Sequence, residues 1–129
     1  MERHPARQDS LIARLDALSE VFGAAGAQSY IAGGDPDEEP SELTFSEFVG
    51  QVRRRSNALV ALGVGPREII AFAAPLSETS YPTMIAGMVS ATLAPVNYFL
   101  EADALLRVVK ATGAGVLLIH RAIPSRING

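Results

Sequence analysis

The feature that most constrains the fold is the alternation, over residues 68–119, of three short apolar runs with two helical patterns. The apolar runs at residues 68–74, 93–97 and 115–119 have the length of strands, and the helical patterns end near Thr92 and span residues 102–112. Apolar strands that alternate with helices are typical of a parallel sheet covered on both faces. The sequence therefore predicts an α/β fold with a parallel βαβαβ core, right-handed crossovers and flanking helices.

The first half of the chain adds a helix and a hairpin to this prediction. Residues 9–22 carry apolar side chains at helical spacing, with Asp9 or Ser10 as the N-cap. Residues 29–32 and 42–45 are short strands predicted to pair across the acidic, turn-rich residues 33–40.

The starts of the next two helices differ in how well the sequence defines them. Thr44 is followed three residues later by Glu47, which predicts a capping box and a helix over residues 45–62, ended by a left-handed Gly63. The helix after residue 74 begins either with Ser80 as the cap, which puts Pro82 in the first turn, or earlier, at Ser77. In the second case the proline removes one backbone hydrogen bond.

Composition excludes several classes of protein. The 129 residues contain no cysteine, so disulfide frameworks and thiolate metal sites are excluded. A net charge of -3 argues against a general nucleic-acid binder. The first ten residues carry charges and no apolar run, so no secretory signal is expected, and a cytoplasmic location fits best. Residues 79–100 are uncharged, but Pro82 and Pro95 argue against a transmembrane segment.

Few side chains are candidates for catalysis or ligand binding. His120, at the end of the last strand, has the position of a base, although a solvated loop histidine is the favoured interpretation, and His4 lies near the start of the chain. Residues 77–80, with Ser77, Glu78 and Ser80, follow the first core strand and would either line a cleft or cap the next helix, which is favoured. Lys110 is expected to be a surface charge.

Three other patterns favour structural roles. The glycine pairs at residues 63–65 and 113–115 follow helices and precede strands, whereas a phosphate-binding turn leaves a strand and opens a helix. The consecutive residues Arg53, Arg54 and Arg55 spread around a helix and are not expected to converge on one ligand. The acidic residues 35–39 lack the oxygen spacing of a calcium loop. We therefore predict no catalytic residue and no metal site in this chain.

The order of six phrases along the chain resembles the opening of the AMP-forming acyl-adenylate enzymes, and within that superfamily most resembles long-chain fatty-acyl-CoA ligases. The resemblance covers about residues 27–120. The phrases are LTFSEF at 43–48, SNAL at 56–59, ALGVGP at 61–66, APLSE at 74–78, APVN at 94–97, and the helix, turn and strand of 105–119.

The resemblance implies a parent enzyme that uses ATP, magnesium and CoA to convert a fatty acid to acyl-CoA, AMP and pyrophosphate. Members of the superfamily are several times longer, and their Ser/Thr/Gly-rich phosphate loop and C-terminal catalytic lysine have no counterpart here. We therefore expect residues 1–26 to form an N-terminal helix region and residues 27–129 an incomplete N-terminal subdomain, catalytically silent alone. Leu76, Tyr81 and Asn97 lie at strand exits, from which they could approach the active-site cleft of the parent enzyme, but they are not predicted as site residues.

Two other functional classes are alternatives to the ligase fragment. One is a stand-alone α/β interaction module that binds a partner or forms a homo-oligomer through exposed sheet around residues 93–97 and 115–119. Flavodoxin-like binding of a small ligand is disfavoured, since no strand-to-helix turn is rich in glycine.

Overall fold

The computed structural model describes residues 10–31, 35 and 37–120. The expectations for His4, Asp9, part of the acidic loop and residues 121–129 lie outside them. The helices are α1 (Leu11–Phe22), α2 (Phe45–Ala61), α3 (Ser80–Ser90) and α4 (Ala102–Ala111). The strands are β1 (Gly26–Tyr30), β2 (Ser41–Thr44), β3 (Ile69–Ala73), β4 (Thr92–Pro95) and β5 (Val116–Ile119).

The core is a three-stranded parallel sheet in the order β4-β3-β5, with helices on both faces. Central Ile70 pairs with Leu93 on one side and Val116 on the other. Two clusters of buried side chains cover the faces. One joins Val52, Leu59, Val64, Ile70 and Ala86 and the other joins Ala73 and Leu105. The predicted α/β fold is confirmed.

The capping box at the start of α2 is confirmed. Thr44 Oγ1 accepts a hydrogen bond from the Glu47 amide at 3.2 Å, and Glu47 Oε1 accepts one from the Thr44 amide at 3.2 Å. Together these bonds satisfy two amides that the helix leaves without an internal partner. Val49, Val52 and Leu59 are the buried positions of the predicted apolar stripe.

The end of α2 is a Schellman motif. Gly63 has φ +92°, the Gly63 amide donates to Val60 O at 2.9 Å, and the Val64 amide donates to Leu59 O at 3.0 Å. Buried Val64 and Leu59 belong to the same core cluster, which is the apolar contact that accompanies this motif. The prediction that Gly63 ends the helix in a left-handed conformation is confirmed.

The predicted hairpin exists, but its strands begin and end elsewhere. β1 and β2 are antiparallel, with Tyr30 opposite Ser41, and β1 begins at Gly26 and not at residue 29. The amide of Phe45 donates to Ala25 O at 2.9 Å, which ties the start of α2 to the chain just before β1. Residue 45 therefore belongs to the helix and not to the strand.

The start of α3 differs from both predicted alternatives by one or more residues. Thr79 is the N-cap and Ser80 the first helical residue, so Pro82 lies in the first turn. The amides of a first turn have no carbonyl acceptor within the helix, and the proline therefore removes no helical hydrogen bond. In the described part of the chain, no helix is both long and apolar enough to cross a membrane.

Removing the capping oxygen of α2 is expected to destabilise the protein. Thr44→Ala should lower the free energy of unfolding by about 0.5–2 kcal/mol, measured by urea denaturation, because the Glu47 amide loses its acceptor. Thr44→Ser keeps the hydroxyl and is the matched control. If both variants lose the same free energy of unfolding, the capping hydroxyl makes no measurable contribution to stability.

Candidate ligand site at the carboxyl edge of the sheet

The carboxyl ends of the three parallel strands share one edge, where ligands of open α/β sheets bind. Residues 74–79 leave β3 at this edge, Asn97 follows β4, and His120 follows β5. Around the start of α3 the edge opens into three clefts. We name them the β5 cleft, the β4 cleft and the hairpin cleft.

The β5 cleft lies between β3, β5 and the first turn of α3. Its volume is about 320 Å³. The His120 amide extends the sheet by donating to Ala73 O at 3.0 Å, which places this residue at the mouth of the cleft. The cleft is lined by Phe72, Ala74, Ser77, Thr79, Ser80, Thr83, Leu118, Ile119 and His120.

Three hydroxyl groups of the β5 cleft, those of Ser77, Ser80 and Thr83, bind the chain's own backbone. Ser77 Oγ accepts from the Ser80 amide at 3.1 Å, and Ser80 Oγ accepts from the Ser77 amide at 2.7 Å. Thr83 Oγ1 donates to Thr79 O at 2.7 Å. These bonds agree with the favoured capping interpretation of the segment, although the cap is built by Ser77 and the N-cap residue Thr79 makes no side-chain capping bond.

The β4 cleft brings together the three residues predicted at the strand exits. Leu76, Tyr81 and Asn97 all line this cavity of about 390 Å³. Asn97 Oδ1 accepts from the Phe99 amide at 3.0 Å, so the asparagine forms the turn that carries Tyr98 and Phe99 into the cleft wall. The lining is mainly apolar and suits an apolar ligand more than a charged one.

The hairpin cleft depends on contacts that the sequence did not predict. It has a volume of about 420 Å³ and lies between the β1–β2 hairpin and α3. Three side chains of the hairpin bind the loop after β3. Gln28 Nε2 donates to Glu78 O at 3.1 Å, Tyr30 Oη donates to Leu76 O at 3.4 Å, and Ser41 Oγ donates to Glu78 Oε2 at 2.7 Å.

These three hydrogen bonds fix the β3–α3 loop, which forms a wall of all three clefts. They join residues 37 to 50 positions apart, so no local motif identifies them. Gln28 Oε1 is buried without a hydrogen-bond partner. The hairpin is therefore a positioning element of the site.

Ser41→Ala should loosen this loop. We expect the amides of Ser77 and Ser80 to exchange hydrogen about two- to tenfold faster, because a typical hydrogen bond contributes about 0.5–1.5 kcal/mol net and this one is exposed to water. Ser29→Ala is the control, since Ser29 Oγ binds Glu42 within the hairpin. Unchanged exchange in Ser41→Ala, or the same change in both variants, would contradict this role.

The remaining candidate residues do not converge on a site. Arg53 forms a two-point ion pair with Asp16 that joins α1 to α2, with Nε and Oδ1 3.1 Å apart. Arg55 Nη1 donates to Gln51 Oε1 at 2.9 Å, and burial, with the charge of Arg54, lowers the pKa of Arg55. Arg53 and Arg55 thus bind different partners, one on α1 and one on α2, and Lys110 is exposed in the last turn of α4.

Among the described residues, three features that commonly hold a nucleoside triphosphate and its divalent cation are not seen. Gly63 and Gly113, with φ +92° and +73°, end helices, and the β3–α3 turn contains no glycine. No group of three or more histidine, aspartate or glutamate side chains is placed to hold a metal within the described residues. The described residues that line the three clefts include no lysine or arginine.

Comparison with solved structures places this fold at the start of much longer proteins. A long-chain-fatty-acid-CoA ligase from Archaeoglobus fulgidus matches with a TM-score of 0.80 and 25% identity, over 92% of this chain and 24% of that chain. The N-terminal domain of FACL13 from Mycobacterium tuberculosis matches with a TM-score of 0.76 and 18% identity, over 92% of this chain and 29% of that one.

A third match, the Klebsiella oxytoca NpsA N-terminal subdomain in complex with 3-hydroxyanthranilyl-AMSN, has a TM-score of 0.76 and 21% identity. It covers 93% of this chain and 28% of that chain. The second and third matches, at 18% and 21% identity, show similarity of fold alone. The chain thus spans about a quarter of the length of the structures that it matches.

Sequence comparison gives the family directly. No curated protein matches the chain. The model of the AMP-binding enzyme family, however, matches residues 23–128, which is most of the sequence. The resemblance found in the order of the sequence phrases is therefore confirmed, and the chain belongs to the AMP-binding enzyme family.

Proposed function

We propose that this chain is N-terminal scaffold of an enzyme that activates a fatty acid with ATP and transfers the acyl group to CoA. The observation that carries the proposal is the family match over residues 23–128, together with a share of about a quarter of the matched ligase. In this proposal the chain supplies the β3–α3 loop and the Asn97 turn as walls of a cleft. Residues outside this chain would supply the reaction chemistry. A cytoplasmic location is proposed from the absence of cysteine.

Catalytic silence of the isolated chain follows from what adenylation requires. Adenylation needs hydrogen-bond donors around a triphosphate, a divalent cation and a positive charge near the attacked phosphate. The clefts instead offer hydroxyl groups that bind backbone, and apolar side chains. Equilibrium dialysis of the 129-residue chain with labelled ATP and Mg²⁺ should detect no binding. Saturable ATP binding would contradict catalytic silence.

Fatty acids are the proposed substrate class. The supporting observations are the sequence resemblance to long-chain fatty-acyl-CoA ligases and the 25% identity with a ligase of that class. The chemistry is tested on the polypeptide encoded by a reading frame that continues past Gly129. We expect ATP–pyrophosphate exchange with palmitate and little with anthranilate. Exchange with anthranilate alone would contradict this proposal and would indicate an aromatic acid as the substrate class.

An interaction module is the second candidate, because the sheet has two open edges. Among the described residues, β4 and β5 each pair with β3 on one side only. Unpaired strand edges are templates for association with another chain. Under this alternative, the protein works through self-association or partner binding and needs no nucleotide.

A further inference from the structure

The β1–β2 hairpin stands apart from the apolar core. Among the described residues, no side chain of β1 or β2 belongs to either cluster of buried apolar side chains. The hairpin cleft, of about 420 Å³, lies between the hairpin and α3. At its base the hairpin is joined to α2 by the bond from the Phe45 amide to Ala25 O, and the register of the two strands shifts just beyond, at Gly26. Beyond this base, its polar connection to the sheet is the set of three hydrogen bonds to the β3–α3 loop.

Those three hydrogen bonds differ in strength. Ser41 Oγ donates to the Glu78 carboxylate at 2.7 Å, a normal length, and its acceptor carries charge. Tyr30 Oη lies 3.4 Å from Leu76 O, beyond the range of about 2.5–3.0 Å that is usual between two oxygens. Gln28 Nε2 donates to Glu78 O at an ordinary 3.1 Å. All three bonds are exposed to water, where a typical bond shifts an equilibrium by only about two- to twelvefold.

The side chain of Gln28 also opposes the contact in which it takes part. Its Oε1 atom is buried, and no described residue donates a hydrogen bond to it. An unpaired buried acceptor disfavours the state that buries it by about five- to 150-fold, which exceeds the gain from one exposed hydrogen bond. Glu78 is exposed, so water can replace the glutamine donor at its carbonyl. The net effect of Gln28 is therefore to favour separation of the hairpin from the loop.

We propose that the hairpin and the β3–α3 loop form a clasp poised to open, in which the bond from Ser41 to Glu78 favours the closed state and Gln28 favours the open state. Opening releases the loop that forms a wall of all three clefts, so the clasp couples the hairpin to the candidate site. The proposal goes beyond both candidate functions, because it depends neither on ATP chemistry nor on a partner chain.

Hydrogen exchange of the 129-residue chain, followed by NMR at the amides of Ser77 and Ser80, tests the clasp. In Gln28→Met these amides should exchange about threefold or more slower than in the wild type, because a flexible apolar side chain of similar length buries no unpaired acceptor. In Gln28→Glu they should exchange about tenfold or more faster, because the carboxylate has no donor for Glu78 O and would be buried unpaired. A side chain that only fills space would give faster exchange in both variants.

Gln51→Met is the matched control. Gln51 is also partly buried, but it binds Arg55 on α2, so its replacement should leave exchange in the loop near that of the wild type. The amides of β3 report global unfolding in the same spectra. Exchange in Gln28→Met that is as fast as in the wild type, or faster, would overturn the proposal, because Gln28 would then not favour opening. Equal slowing in the loop and in β3 would also overturn it, since the change would be global and not an effect on the clasp.

Discussion

Replacing Ile70 with alanine will lower the free energy of unfolding by about 2–5 kcal/mol, measured by urea denaturation. Ile70 is fully buried in the central strand, and it pairs with neighbouring strands on both sides. Helix α3 packs beside it, and a Cβ atom added at Gly87 would meet Ile70 Cδ1 at 3.7 Å, an ordinary contact distance. Because a strand on each side and a helix on one face surround the side chain, the surroundings can collapse little around a cavity, and the loss should be large.

The matched control is Ile31→Ala. Ile31 is half-exposed beyond the end of β1, and its truncation should change stability by about 0.5 kcal/mol or less. If Ile70→Ala costs no more than Ile31→Ala, the sheet face that packs on α2 and α3 is not the centre of the core.

Leu105→Ala is the second large effect, and it should act mainly on α4. Of the ten described residues of this helix, Leu105 alone is buried, and it packs with Ala73, Val109 and Ile119 on the second face of the sheet. Truncation of such a leucine costs about 2–5 kcal/mol when the helix stays docked. If α4 instead detaches locally, the free energy of global unfolding falls less, and the effect is seen as more frequent opening of α4 alone.

Hydrogen exchange measured by mass spectrometry distinguishes these responses. In Leu105→Ala the amides of α4 should exchange faster than those of α2, whereas Leu106→Ala, at the exposed neighbouring position, should leave both rates near those of the wild type. Exchange in α4 that is unchanged by Leu105→Ala would show that other contacts hold the helix.

The parts of the fold that the sequence predicted are those determined by local physical chemistry. Thr44 and Glu47, three residues apart, each accept a hydrogen bond from the other's amide. The start of α2 can therefore be predicted from the local sequence alone. Gly63 adopts a conformation that other residues avoid, and it marks the end of the same helix. The alternation of apolar runs and helices likewise predicted the parallel sheet.

The errors occurred where distant segments decide the outcome. The start of β1 depends on the bond from the Phe45 amide to Ala25 O, twenty positions away. Pro82 was ambiguous because the choice of N-cap among adjacent polar residues depends on how Ser77 and Ser80 bond each other.

The sequence predicted which residues lie at the strand exits, but it identified no site among them. The rule that ligands gather at the carboxyl edge of a parallel sheet placed Leu76, Tyr81 and Asn97 together, and they line one cleft. The positioning role of Gln28, Tyr30 and Ser41 was missed. Their bonds reach a loop 37 to 50 residues further along the chain, and ordinary polar residues on a short strand give no signal of such a contact.

The most direct test of the proposed ligase scaffold is to sequence the gene beyond the codon for Gly129. We expect an open reading frame that soon encodes a Ser/Thr/Gly-rich loop ending in lysine, the element that the resemblance implies and that residues 1–129 do not contain. A stop codon directly after Gly129 would contradict the ligase proposal. The family membership would stand, and partner binding would become the working function.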